Sequence, residues 1–123
     1  MELSELIVLA EKIVGRTQRS LPAEVRPLAE AVPVSYEPLP NDAILEEGWE
    51  PDILGLFVGD PHGTDTGSSG GLPAQIILFL ENIWDYAEED LETYHEEVRL
   101  TYLHELGHYL GWDEVDLEAR GLD

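Results

Sequence analysis

Residues 104–114 read His104-Glu105-Leu106-Gly107-His108-Tyr109-Leu110-Gly111-Trp112-Asp113-Glu114, and this string restricts the fold more than any other part of the chain. On an α-helix, histidines four apart fall on one face, about one turn from each other, where two imidazoles can reach one metal ion. Glu105 lies about 100 degrees round the helix from His104, in the general-base position of the H-E-x-x-H motif. Gly111 can adopt a left-handed conformation and end the helix. The chain can then turn back and bring in Glu114 as a third ligand. A fold that uses this string needs a helix late in the chain, packed on one side and open on the other. Chance gives H-E-x-x-H in roughly 2% of chains of this length and composition, and the longer string with Gly and an acid in roughly 0.04%.

The final helix is expected from about residue 88 to residue 110. Leu91, Val98, Tyr102, Leu106 and Tyr109 fall on one broad stripe that should pack. His104, His108 and Thr101 fall away from it, with Glu105 at the boundary. The acidic run Glu88-Glu89-Asp90 reads as charge at the helix N-terminus, which the helix dipole favours. Gly107 inside the helix costs about 1 kcal/mol relative to Ala.

Elsewhere, Leu3, Leu6, Ile7, Ala10, Ile13 and Val14 recur with helical spacing, so residues 4–19 are predicted to form an amphipathic helix that packs on the core. Ser20 reads as an N-cap for a second helix over 21–31, weakened by Pro27. Residues 32–36, 53–58 and 75–80 read as strands. Residues 38–42 read as a turn or loop, 81–85 leave the third strand, and 59–73, rich in Gly, Ser, Thr, Asp and Pro, form a loop. That loop has the length and glycines of a lid and equally those of a surface excursion.

The length of 123 residues suits a single domain over 1–123, and 43% apolar residues support a buried core. No cysteine is present, so neither disulfides nor a thiolate metal site can form. Any metal has to be held by His, Asp, Glu and water. The net charge of −21 argues against nucleic acid and anionic membranes as partners, and would attract cations and basic peptides. Solubility is its main reading and substrate steering a secondary one. The start Met1-Glu2-Leu3-Ser4-Glu5 lacks a basic signal-peptide start and no apolar run reaches membrane-span length, so a cytoplasmic location is the default.

Peptide hydrolysis needs a nucleophilic water and a polarised carbonyl. Zinc supplies both, lowering the pKa of its water to about 7 and acting as a Lewis acid. His104 and His108 with a third ligand leave one coordination position open, and Glu105 would take the water's proton and pass it to the leaving amine. Glu114 is the first candidate for the third ligand, Asp113 the second and Asp116 the third. The same donor set could hold non-haem iron or manganese, but a Glu beside the first His favours zinc hydrolysis. His62 could reach the cleft from its loop, although a loop His is more often solvated. His95 is more simply structural. Tyr94, Tyr102 and Tyr109 are candidates to serve an oxyanion, but Tyr102 and Tyr109 lie on the packing stripe.

The chain resembles the small bacterial zincin-like metallopeptidases, the minimal zincins. The matching stretches are Leu21-Pro22-Ala23-Glu24-Val25-Arg26, Leu54-Gly55-Leu56-Phe57 with Gly59, Leu72-Pro73 leading into Ile76-Ile77-Leu78-Phe79, and His104 to Gly111. The last is the chemically specific one. The resemblance implies an α+β fold with a small mixed or antiparallel sheet, packed helices and a late active-site helix. It further implies an edge strand that binds substrate in extended form, for which 76–80 is the candidate. The family pattern usually has Asp at the last ligand position, where this chain has Glu114. The function expected is zinc-dependent hydrolysis of a peptide or unfolded protein segment. The competing reading is a non-catalytic metal-binding or protein-interaction module on the same fold.

Overall fold

The helical spacing near the N-terminus is realised as α1 (Leu3–Ser20), with Leu6, Ala10, Ile13 and Val14 buried. The structure is a computed structural model that describes residues 1–59, 74–112 and 115–116. Ser20 does not cap a second helix. It closes α1, its hydroxyl donating to the Thr17 carbonyl at 2.6 Å, a bond back into the preceding turn. The second helix is correspondingly shorter than expected: α2 (Arg26–Glu30), with Pro27 in its first turn.

Three strands follow the expected runs: β1 (Val34–Glu37), β2 (Gly55–Val58) and β3 (Gln75–Phe79). Between β1 and β2 stands a short helix, α3 (Asp42–Glu46), which meets the expected 38–42 turn only at Asp42 and otherwise lies where the sequence suggested no element. Asn41 caps it by accepting the Ile44 amide at 2.9 Å. The residues after β3 are not a plain exit: Leu80 starts α4 (Leu80–Tyr86). Then comes α5 (Leu91–Leu110), capped by Asp90, whose side chain accepts from the Thr93 amide. Glu88 and Glu89 lie outside α5 in left-handed conformations, φ 55° and 59°, so only Asp90 of the acidic run serves the helix start.

The sheet order is β1-β3-β2, with β1 parallel and β2 antiparallel to β3. This mixed sheet with helices packed on it is the α+β zincin-like arrangement that the sequence leads one to expect. One expectation is overturned. Residues 76–80 are not an edge, because β3 pairs on both sides and Leu80 belongs to α4. The edge strand beside α5 is β2. Antiparallel alternation gives the reason that matters later. Phe79 donates its amide to the Leu54 carbonyl, so Leu54 and Leu56 face β3 while the main-chain groups of Gly55 and Phe57 turn to the outer edge.

α5 is held from two sides. It packs on β2 and β3, and α1 packs on it. Tyr94 and Tyr102 are fully buried at the α1 side. The Tyr94 hydroxyl donates to the Leu6 carbonyl at 2.9 Å, and Gln18 donates to the Tyr102 hydroxyl at 3.0 Å. The buried arc is therefore broader than one stripe, taking in Tyr94, Val98, Thr101 to Leu103 and Glu105 to Gly107. Leu91, expected on the stripe, is 47% exposed at the helix start. Among the described residues no helix is long and apolar enough to cross a membrane.

The approach of β2 to α5 depends on Gly55. A Cβ built there would stand 2.7 Å from Thr101 Cγ2, 3.3 Å from Glu105 Cγ and 3.3 Å from the Ile77 carbonyl oxygen. Gly55→Ala is therefore expected to destabilise the fold by about 1–3 kcal/mol through overpacking. Thr101→Ser removes the clashing methyl. In urea unfolding, the Gly55→Ala/Thr101→Ser double variant should lose less stability than the sum of the two single variants.

Candidate functional site

The helix that carries the motif ends as its glycine demands. Gly111 has φ 75° and ψ 23°, and its amide bonds the His108 carbonyl while the Trp112 amide donates to the Gly107 carbonyl at 2.7 Å. This pair of bonds is the Schellman arrangement, which turns the chain off the helix at that point.

His104 and His108 are exposed, on successive turns of one face, with ring centroids 4.7 Å apart and planes inclined by 54°. Two exposed imidazoles this close fit a shared cation, each offering one ring nitrogen. Of the third-ligand candidates, Glu114 and Asp113 lie outside the described residues, as do His62 and all but the first residue of the 59–73 loop. Asp116 is exposed, and among the described residues no three His, Asp or Glu side chains form a metal-holding group.

Glu105 is only 7% exposed, deeper than the boundary position expected of it. The cause is β2, since Gly55 lets the strand close over the Glu105 stem. Burial pushes the Glu105 carboxyl above its ordinary value of 4.5, while the charge on His104 and a backbone hydrogen bond from Phe57 pull the other way. Its Oε1 lies 3.8 Å from His108 Nδ1. One buried carboxylate thus lies 3.8 Å from one of the two exposed histidines and accepts a main-chain amide of the edge strand.

A cleft of about 570 Å³ opens beside this group, with Ile53, Leu54 and Gly55 on the strand side and Thr101, His104 and Glu105 on the helix side. Thr101, expected away from the packing face, is buried against Gly55. The other candidates fall elsewhere. His95 faces a separate hollow between α1 and α5, with Ile13 and Thr17. Tyr94 and Tyr102 bond into α1, so their hydroxyls are spent on structure. Tyr109 is half-buried, its ring 5.8 Å from that of Phe57. Sequence reasoning missed Gly55 and the Phe57 amide. The signal for the first was present, because an isolated glycine in a strand pattern marks close backbone approach. A backbone amide leaves no such signal.

The raised Glu105 carboxyl has a consequence for stability. In the chelator-treated protein, the burial penalty falls on the charged form alone. It is therefore absent below about pH 4.5, the ordinary value, and grows as pH rises through the higher value in the folded state. Glu105→Gln, which cannot ionise, should match wild type in denaturant midpoint near pH 4 and exceed it at pH 7–8. Parallel midpoints across that range would contradict the burial.

A model of the zincin-like metallopeptidase family matches residues 29–122, a span that takes in the three strands, the cleft and the motif helix. No curated protein matches the chain.

Proposed function

This chain belongs to the zincin-like metallopeptidase family, and from that premise we propose that it is a zinc-dependent peptidase acting on extended peptides or unfolded protein segments, with Glu105 as general base. The observation that carries this reading is the placement of Glu105. A buried carboxylate with a raised pKa, 3.8 Å from one of two adjacent exposed histidines, has the environment of a functional acid–base group.

His104 and His108 are the residues that would hold the zinc ion, with Glu114 as the proposed third ligand ahead of Asp113. When bound, zinc acidifies a water molecule and polarises a carbonyl. The chain's own residues do the rest. Glu105 accepts the proton of the attacking water on a carboxylate oxygen, and its raised pKa brings it nearer the range where a base both takes and returns a proton at neutral pH. It then delivers that proton to the nitrogen of the leaving amine. The Phe57 amide bonds the carboxylate, so the base is held in place before substrate arrives. The outward main-chain groups of β2 other than the Phe57 amide, which Glu105 takes, offer an extended peptide a pairing edge alongside the cleft.

The test is a peptide-library cleavage screen on zinc-loaded wild type and Glu105→Gln. The variant should retain zinc and lose about 10²–10⁴-fold in turnover, the usual contribution of a positioned acid–base group. Equal cleavage by the two proteins would contradict the mechanism.

A further inference from the structure

The cleft beside Glu105 extends along α5 toward the start of the helix, and its far end is Glu97. Glu97 and His104 are seven positions apart in sequence, so the two share a helix face about 10 Å apart along the axis. Between them the cleft is lined by Leu100 and Thr101 on the helix and by Ile53 and Leu54 across from it. Tyr86, 63% exposed, also lines it.

Three features define what this shape accepts. First, among the described residues no Lys or Arg lines it, in a chain whose net charge is −21. Second, Glu97 is partly buried, and among the described residues no hydrogen bond or ion pair engages its carboxylate, unlike Glu96 beside it, which pairs with Arg99 at 2.6 Å. Third, a mixed cleft that sets the apolar side chains of Ile53, Leu54 and Leu100 before an acid, with Tyr86 also lining it, matches a long aliphatic stem that ends in a cation. Such side chains bury the stem and place the charge at a polar end, and an aromatic face adds to the attraction.

We propose that this cleft is a specificity subsite for a lysine or arginine side chain of the substrate, with Glu97 as its charge partner. The proposal rests on the peptidase reading of the site. With the scissile carbonyl at the two histidines, the side chain of a residue flanking the bond runs along α5 over Leu100 and brings its cation to Glu97. The negative field of the chain draws the same peptides toward the cleft, and added salt weakens both effects.

The test separates the subsite from the chemistry by measuring binding as well as cleavage. Three peptides identical except for one lysine, norleucine or glutamate are titrated into the zinc-loaded wild type, Glu97→Gln and Glu97→Lys. The lysine peptide should bind wild type about tenfold more tightly than its norleucine twin, as a charge-assisted hydrogen bond would give. Glu97→Gln should abolish that difference while leaving the norleucine peptide within twofold. Glu97→Lys should reverse the preference toward a glutamate peptide. Where peptides are cleaved, kcat/KM should follow the same order. Lysine-selective binding without cleavage would establish the subsite and contradict the peptidase reading. Equal affinity for the lysine and norleucine peptides, selectivity that survives in Glu97→Gln, or no binding of the lysine peptide would overturn the subsite.

Discussion

The contact between β2 and α5 at Gly55 is the constraint on which the rest of the site depends. Only a residue without a side chain lets the strand lie against Thr101 and the Glu105 stem. That closeness removes the Glu105 carboxyl from water and brings the Phe57 amide to it. Had the strand stood farther off, Glu105 would be one more solvated acid among the 27 acidic residues of the chain. Against the strand it becomes a buried, oriented group beside two exposed histidines.

A carboxylate held in this way needs a helix that does not shift. α5 gains that rigidity by packing on the sheet with one side and receiving α1 on another. Hydrogen bonds reach both ways: the Tyr94 hydroxyl donates to α1, and α1 donates through Gln18 to the Tyr102 hydroxyl. Among the described residues no buried side-chain nitrogen or oxygen lacks a partner, so the interior of α5 carries no unpaid polar cost. The face left unpacked is the one that holds His104 and His108, and the cleft runs along it from Glu105 to Glu97.

Much of this was legible in the residues. The amphipathic spacing of the first helix, the three short β-branched and apolar runs and the left-handed stop at Gly111 all follow from local chemistry, and local chemistry survives folding. What was not legible depended on pairing. Residues 76–80 look like any strand, and nothing in them says that β3 would be flanked on both sides and leave the edge to β2. Thr101 and Glu105 read as polar or boundary positions by helix angle alone, because the angle assumes one packing face and α5 has more than one. α4 was hidden because Leu80-Glu81-Asn82-Ile83 follows an apolar strand without a polar cap, its N-cap being Phe79. The motif itself was plain in the sequence, but the reason its glutamate is buried lies fifty residues away in Gly55.

The central claim is that His104 and His108 hold a metal over Glu105, and metal content tests it most directly. Wild type and a His104→Ala/His108→Ala variant are purified without chelator or added metal and analysed for bound metal per chain. The account predicts about one zinc per chain in wild type and none in the variant. No metal in either protein, with no zinc bound on its addition to wild type, would contradict it.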